Sequence, residues 1–251
     1  MSKKTNYSYI GIALVILVFG IIFIPKIIDR VTNKDITREE SRSQSLGTSD
    51  NQDYTSDLVY IPSVDGGNRK VPDFSFTNQD GKTITNEDYL GKVYLVEFFF
   101  TTCPTICPRM SKNLVQIQNH FSTSEDFGVA SFSIFPETDT PEVLKAYAEN
   151  YGITNPNWHL MTGDRETIYK LSNEGFYLYT AEAENVEGGF EHSGNFALID
   201  KKGFIRSRLT SPDNPLIYYN GIVSEEEGID DEGIPQQISI LKEDIAKLLK
   251  E

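Results

Sequence analysis

A buried strand, a tight turn and the start of a helix follow one another in Val93-Tyr94-Leu95-Val96-Glu97-Phe98-Phe99-Phe100-Thr101-Thr102-Cys103-Pro104-Thr105-Ile106-Cys107-Pro108. The part up to Phe100 is almost continuously apolar and rich in β-branched and aromatic residues, which predicts a central strand covered on both faces. Apolar residues then recur at helical spacing from Pro108 to Phe121, and a proline is tolerated in the first turn of a helix. The stretch therefore predicts a strand-to-helix unit of an α/β fold.

Both cysteines of the chain, Cys103 and Cys107, lie at the turn of this unit. The N-terminus of a helix presents free N–H groups and the positive end of its dipole, which favour a thiolate over a thiol. With Cys107 in the first helical turn, Cys103 can fold back within reach of it, close enough for a disulfide or for a shared soft metal ion. A structural disulfide or two inert thiols is the alternative, but this setting favours reactive sulfurs.

The rest of the chain alternates between strand and helix patterns. Strands are predicted in two hairpins, 71–77 with 82–85 and 196–200 with 204–207, and singly at 128–135 and 158–162. Helices are predicted at 140–151, 164–175 and 238–248. This alternation predicts an α/β fold with a central mixed sheet flanked by helices. With paired cysteines at the end of a central strand, the plan resembles a thioredoxin-like sandwich that begins with an N-terminal hairpin.

Composition and charge restrict the functional class. With 251 residues and 39% hydrophobic content, the chain can bury a sizeable core. It carries 23 Lys and Arg residues against 37 Asp and Glu residues, a formal net charge of −14. A nucleic-acid-binding protein needs a basic surface to neutralise phosphates, so no nucleic-acid partner is expected.

The N-terminal residues predict attachment to a membrane. Thr5 to Pro25 carry no charge and approach the roughly 20 residues that cross a bilayer. We predict three parts: a membrane anchor at 1–28, a flexible polar tether at 29–67 and a thioredoxin-like domain at 68–251. A cleaved signal peptide is the alternative, but no small-residue cleavage site follows the apolar run. Basic residues flank the run on both sides, so charge does not determine on which side of the membrane the domain lies.

Three histidines could supply a ligand beside the two sulfurs. His120 lies near the end of the helix after the cysteines, as a surface or capping residue would. His159 lies in a short predicted strand whose neighbours resemble a core. His192 differs, because it lies in a predicted flexible loop that begins at Gly188 and leads directly into a strand, where a side chain can be presented at the edge of the sheet.

Several motifs together resemble the Sco/SenC family of membrane-tethered copper proteins. They are Phe100 to Pro108, Asp139-Thr140-Pro141-Glu142-Val143-Leu144, Trp158 to Gly163, His192-Ser193 and Leu198-Ile199-Asp200. The resemblance extends over most of the predicted domain, from about Val71 to Arg206. It implies a single N-terminal membrane helix with the soluble domain on the extracytoplasmic, periplasmic side.

In that family two motif cysteines and a loop histidine bind copper, so the resemblance implies the same for Cys103, Cys107 and His192. The implied function is that of a copper metallochaperone, not an enzyme. It would carry Cu(I), with Cu(II) as a second state, to the dinuclear copper centre of cytochrome c oxidase. The implied partners are the copper-centre subunit of the oxidase, a copper donor and a thiol reductant. Two thiolates and one imidazole are soft ligands suited to Cu(I).

Other functions could use the same sulfurs. A membrane-anchored thiol-disulfide reductase would keep the client's copper-ligand cysteines reduced, with Cys103 and Cys107 as its redox pair and no need of His192. A thiol peroxidase or redox sensor would require an activating positive neighbour, for which Arg109 is the nearby candidate. A structural zinc site needs four ligands and no third cysteine exists, which leaves catalytic zinc with a bound water as a lesser alternative.

Two features differ from the family pattern. Where the family commonly has an Asp before a proline, this chain has Phe135, so any role of that carboxylate has no counterpart here. The stretch 224–233 is rich in Asp and Glu and resembles an insertion specific to one lineage. We expect it to be a solvated loop.

Overall fold

The computed structural model describes Leu17, Phe19 and residues 57–251, except for 65, 184–187 and 212–213. Leu17 and Phe19 are helical. The rest of the predicted anchor and most of the predicted tether lie outside the described residues. Among the residues that are described, no helix has both the length and the apolar character needed to cross a bilayer.

The described residues from 57 onward form twelve strands and four α-helices. The strands are β1 (Leu58–Tyr60), β2 (Ser75–Asn78), β3 (Thr83–Thr85), β4 (Val93–Phe99), β5 (Phe127–Ser133), β6 (Trp158–Thr162), β7 (Thr180–Glu182), β8 (Phe190–His192), β9 (Asn195–Ile199), β10 (Ile205–Ser211), β11 (Asn214–Pro215) and β12 (Tyr219–Asn220). The helices are α1 (Ile106–His120), α2 (Pro141–Tyr151), α3 (Arg165–Lys170) and α4 (Ile238–Leu248), with a short 3₁₀ turn at Asn86–Tyr89 and a π-helical segment at Leu171–Phe176.

Ten of the described strands form one mixed sheet in the order β1-β10-β9-β4-β5-β6-β2-β3, with β11 paired to β10 and β12 to β9. Strands β4, β5 and β6 run parallel at its centre. Strand β9 borders them on one side and β2 on the other, both in antiparallel pairing. Helices α1 and α2 connect the parallel strands, and α1 packs against both α2 and α4. The predicted mixed sheet with flanking helices is confirmed.

Strand β1 extends the sheet beyond the predicted start of the domain. It pairs with β10, with Leu58 opposite Arg208 and Tyr60 opposite Arg206, and the following Ile61 is buried in the core. These residues belong to the stretch 29–67 that the sequence predicts to be a tether. The polar composition of that stretch conceals a short apolar run at its end, and this run joins the sheet.

Strand β4 is covered on both faces, as its continuous apolar run predicts. Every residue of the strand is buried. Successive side chains of a strand point to opposite faces. The ring centroids of Phe99 and Tyr147 in α2 are 5.4 Å apart, whereas on the other face those of Phe98 and Phe176 are 5.8 Å apart. Aromatic packing from both sides therefore fixes the strand that leads into the cysteine turn.

The helix after the cysteine turn begins earlier than predicted. It starts at Ile106, before Pro108, so that Cys107 lies in its first turn. The proline remains within the first turn, where its missing N–H group is no loss. The early start is what brings the second sulfur to the positive end of the helix.

The predicted helix at 164–175 changes its form part of the way along. It is α-helical to Lys170 and π-helical from Leu171 to Phe176. In the π-helical segment the side-chain amide of Asn173 bonds to the backbone O and N of Thr180 in β7, at 2.9 and 3.0 Å. The change from α-helix to π-helix thus coincides with hydrogen bonds to a neighbouring strand. The apolar periodicity of the helix itself does not reveal such bonds.

Strands β7 and β8 form a separate two-stranded sheet that we call the histidine ribbon, because His192 is its last residue. In its register Thr180 lies opposite His192 and Glu182 lies opposite Phe190. The predicted flexible loop before β9 therefore contains a paired strand. The sequence signal for this strand is weak because β8 is only three residues long and follows two glycines.

Candidate metal centre

The two sulfurs are held at the junction between β4 and α1. Cys103 lies in the turn after β4, and the backbone N–H of Cys107 donates to its Sγ at 3.5 Å. The N-cap residue Thr105 makes no side-chain capping bond within the described part of the chain. The sulfur of Cys103 thus occupies the place of a capping oxygen at the start of α1. Both cysteines are buried free thiols.

His192 reaches the sulfurs from the histidine ribbon, far along the chain. Its Nε2 lies 3.1 Å from Sγ of Cys107, and its Nδ1 lies 3.3 Å from the carbonyl oxygen of Ser193. A proton on Nδ1 satisfies that carbonyl and leaves the lone pair of Nε2 directed at the sulfurs. Only 8% of the His192 surface is exposed, which shields the group from water.

The three side chains form one compact cluster. One ligand atom from each of Cys103, Cys107 and His192 lies within 4.8 Å of the other two. These are the three residues that the sequence singled out as a set. Nothing between the cysteines and His192 in the sequence indicates this proximity, which depends on the packing of the ribbon against the end of β4.

The two thiols differ in their protonation. A hydrogen bond from the Cys107 thiol, with contributions from backbone N–H groups, lowers the pKa of Cys103 far below its ordinary value. Burial raises the pKa of Cys107, and the neighbouring Cys103 raises it further. The environment therefore favours the thiolate form at Cys103 and the thiol form at Cys107.

A buried carboxylate fixes the turn that carries Cys103. Asp139 accepts hydrogen bonds from the backbone N–H and the hydroxyl of Thr101, at 3.0 and 2.5 Å, and from the hydroxyl of Ser133 at 2.5 Å. The turn is thereby tied to the end of β5. Sequence reasoning assigned Asp139 to a family-like motif but not to this role, and its position just before a capped helix gave no signal of it.

The other two histidines lie outside the cluster. His120 is exposed in the last turn of α1, as predicted. His159 is half-buried in β6, where its Nδ1 accepts a hydrogen bond from the side-chain amide of Asn78 at 3.1 Å. Both positions agree with the structural roles that the sequence predicts for these residues.

The two departures from the family pattern also have places in the fold. Phe135 packs on Phe190 of the histidine ribbon, with ring centroids 4.7 Å apart. At the position of the Asp in the family pattern, this chain therefore makes an aromatic contact. The acidic stretch 224–233 is not wholly solvated. Glu227 pairs with Arg109 at 2.7 Å, close to the cysteine turn, and Glu225 pairs with Lys242 of α4.

A mixed sheet with a buried dithiol and imidazole cluster at its strand-to-helix turn defines a thioredoxin-like thiol protein with a candidate site for a soft metal ion. The sequence model of the family described as SCO1/SenC matches residues 63–225. The chain belongs to the SCO1/SenC family, and the family predicted from its motifs is confirmed.

Similar proteins share both sequence and fold with this chain. The SCO1 protein homolog of Bacillus subtilis (strain 168) is 32% identical over 160 residues, which cover 63% of this chain and 81% of that protein. The structure of a SCO1/SenC family lipoprotein from Bacillus anthracis str. Ames has a TM-score of 0.59 and 31% identity, covering 72% of this chain and 95% of that one. The structure of BsSco has a TM-score of 0.55 and 28% identity, covering 72% and 94%. BsSco is described as a member of the Sco family of cytochrome c oxidase assembly proteins that has a disulfide switch.

Proposed function

We propose that this chain is a copper metallochaperone that holds copper through Cys103, Cys107 and His192 and matures the dinuclear copper centre of cytochrome c oxidase. The observation that carries the proposal is the convergence of two sulfurs and one ring nitrogen within 4.8 Å. Two thiolates and an imidazole are a soft set of low coordination number, which suits Cu(I) better than a hard cation. The description of BsSco as an oxidase assembly protein supports the choice of client.

The protonation of the cluster fits the capture and release of a metal ion. The thiolate form is favoured at Cys103, which can therefore take the first ligand position, whereas Cys107 favours the thiol and loses its proton when copper binds. Nε2 of His192 supplies the third ligand without a change of charge. Three ligands leave room for a ligand of the client, which can enter before one of the chain's own ligands departs.

The proposal includes the location of the site and its partners. Residues 1–28, which contain the uncharged run from Thr5 to Pro25, anchor the chain in the membrane, and the domain lies on the extracytoplasmic side. The partners are the copper-centre subunit of the oxidase, a copper donor and a thiol reductant that keeps both cysteines reduced. The apolar N-terminal run and membership of the family support this arrangement.

A second function, thiol-disulfide reduction, is favoured by the free dithiol and the thiolate character of Cys103. The Cys103 thiolate would attack a client disulfide, form a mixed disulfide and release one client thiolate. Cys107 would then lose its proton and attack Cys103, which closes a disulfide in this chain and releases the second client thiolate. The client gains two electrons, and the reductant partner later returns them to the chain.

Copper titration of the full-length protein tests the main proposal. We expect one Cu(I) per wild-type chain and a loss of affinity of at least about tenfold in His192→Ala, because one of three ligands is removed. Either Cys→Ala variant should lose tight binding altogether. His120→Ala is the matched control, since that ring is exposed and lies outside the cluster, and it should bind like the wild type.

The His192→Ala variant distinguishes copper delivery from disulfide reduction. Unchanged Cu(I) affinity in His192→Ala would reject the three-ligand site. Reduction of a client disulfide that proceeds at the wild-type rate in His192→Ala, together with weak copper binding in the wild type, would establish the reductase instead.

A further inference from the structure

The third ligand stands on an element that is not part of the main sheet. Cys103 and Cys107 are fixed by β4 and α1, whereas His192 belongs to the histidine ribbon, which pairs only with itself among the described strands. A two-stranded ribbon has marginal stability without further packing. The contacts that hold the ribbon against the domain therefore determine whether Nε2 stays near the sulfurs.

One end of the ribbon is anchored by buried hydrogen bonds. Thr180, which lies opposite His192, bonds through its backbone to the side chain of Asn173 and through its hydroxyl to Ser172 at 2.7 Å. Thr180 and Ser172 are both buried. This anchor belongs to the π-helical segment and fixes the end of the ribbon at which the chain enters and leaves.

At the other end of the ribbon, next to the connection between its strands, Arg165 adds a charged contact to the aromatic packing of Phe190 on Phe100 and Phe135. Its guanidinium pairs with Glu182 and lies over the ring of Phe190, with Cζ 5.5 Å from the ring centroid. Glu182 and Phe190 are opposite each other in the ribbon, so one side chain grips both strands. On the side of the domain, Arg165 contacts Glu137 at 3.5 Å and the ring of Tyr169.

The position of Arg165 along its helix is unusual. It is the first residue of α3, where the positive end of the helix dipole disfavours a cation. Local helix stability therefore does not account for an arginine here. Its tertiary contacts do, because a planar guanidinium can pair with a carboxylate and stack on a ring at the same time.

The contact between Arg165 and Phe190 affects His192 because Phe190 and His192 lie on the same face of β8. Phe190 and His192 are two residues apart in a strand, so their side chains point to the same side. Both lie against the ring of Phe100, with centroid distances of 5.2 and 5.9 Å. Phe100 directly follows β4, shortly before Cys103. A ribbon that lifts at Phe190 would thus loosen the packing that seats the His192 ring.

We propose that Arg165 is a positioning residue for His192: it clasps the connected end of the histidine ribbon, at Glu182 and Phe190, and thereby slows the release of copper. The inference rests on the proposed copper function. It assigns to Arg165 no contact with the metal, and its action is wholly through Glu182 and Phe190. A client that displaces this clasp would free the third ligand without touching the sulfurs.

Two measurements on the full-length protein test the proposal. In Arg165→Gln we expect faster hydrogen exchange at the Ala183 amide, which bonds to Gly189 at the connected end of the ribbon, while amides of β4 stay unchanged. We also expect transfer of Cu(I) to a competing chelator to become about fivefold faster, the size of a partly exposed ion pair plus one cation–π contact. Arg165→Lys, which keeps the charge but not the planar stack, should fall between.

Three further variants sharpen the result. Glu182→Gln removes only the ion pair, so its effect should be smaller than that of Arg165→Gln. The double variant should be no faster than Arg165→Gln, because that single variant already removes the ion pair. In a His192→Ala background, Arg165→Gln should leave copper transfer unchanged. Lys145→Gln is the control, since it removes a cation paired with Asp80 on another part of the surface, and it should match the wild type.

The outcomes distinguish this proposal from the one on which it depends. Unchanged Ala183 exchange in metal-free Arg165→Gln would overturn the clasp, whatever the metal does. Faster exchange without faster copper transfer would overturn the positioning role. A wild-type protein that does not retain Cu(I) would instead reject the copper function, and it would be recognised without any Arg165 variant.

Discussion

At the scale of single residues, the most unusual group outside the cluster is Glu97 in the centre of β4. It is 2% exposed, and Oε1 accepts a hydrogen bond from Ser131 at 2.7 Å. The Ser131 hydroxyl accepts in turn from the indole N–H of Trp158 at 3.0 Å, which directs its own proton to the carboxylate. Oε2 of Glu97 has no hydrogen-bonding partner among the described residues. Burial raises the pKa of Glu97 from 4.5 to about 7.

This raised pKa predicts that the metal-free protein loses stability as pH rises from about 4.5 to 7. In that window the folded chain retains a proton that the unfolded chain releases, so the free energy of unfolding falls with pH and stays lowered above 7. The loss should reach about 3 kcal/mol. Glu97→Gln, which cannot ionise, should remove it and be the more stable protein at pH 8 by a similar amount.

Urea unfolding under reducing conditions at pH 4, 6 and 8 measures this difference, with the exposed Glu149→Gln as control. The control should follow the wild-type curve. Parallel pH profiles for wild type and Glu97→Gln would contradict the assignment of the loss to Glu97.

The residues of the candidate site were predictable to different degrees. Cys103 and Cys107 are conspicuous because they are the two cysteines of the chain and flank a strand-to-helix turn. His192 could be selected from three histidines, chiefly through the family resemblance. The supporting residues Asp139 and Arg165 could not, because a carboxylate or an arginine near a helix start is common and its partner lies far along the chain.

At the scale of elements, the turn between β4 and α1 depends on Asp139. Asp139→Asn removes the negative charge and one acceptor oxygen, so the bonds from Thr101 and Ser133 to a buried carboxylate are replaced by weaker bonds to a neutral amide. We expect the free energy of unfolding to fall by about 2–4 kcal/mol. Urea unfolding checks this, with the exposed Asp126→Asn as control. A loss no larger than in the control would show that the turn is held by its own backbone.

Helices and strands were predictable from the sequence where the apolar pattern or the capping residues were unambiguous. The continuous apolar run of β4 and the Thr140 cap before Pro141 at the start of α2 both agree with the structure. The π-helical segment and the histidine ribbon were missed, because each exists through contacts with the other and neither has a regular period of its own. The part of the fold that presents His192 is thus the part that local sequence describes least.

At the scale of the whole molecule, a buried acid joins the closing helix α4 to strand β10 of the sheet. Asp244 of α4 accepts from Nε of Arg208 in β10 at 2.9 Å and from Nη2 at 2.6 Å. It also accepts from the hydroxyl of Tyr219 in β12 at 2.8 Å. Three elements that are separate in sequence meet at this carboxylate, which is fully buried. A second acid, Glu243, pairs with Arg208 at 2.9 Å but is 62% exposed.

These two neighbouring acids on one arginine provide a matched test of how α4 is held. Asp244→Asn leaves the Arg208 charge buried without its principal counter-ion, so the free energy of unfolding should fall by about 3–5 kcal/mol. Glu243→Gln removes a solvent-screened partner of the same guanidinium and should change it by at most about 1 kcal/mol. Thermal and urea unfolding of both variants measure the difference. Equal losses in the two variants would contradict this prediction, because they would show that burial of Asp244 does not strengthen its ion pair with Arg208.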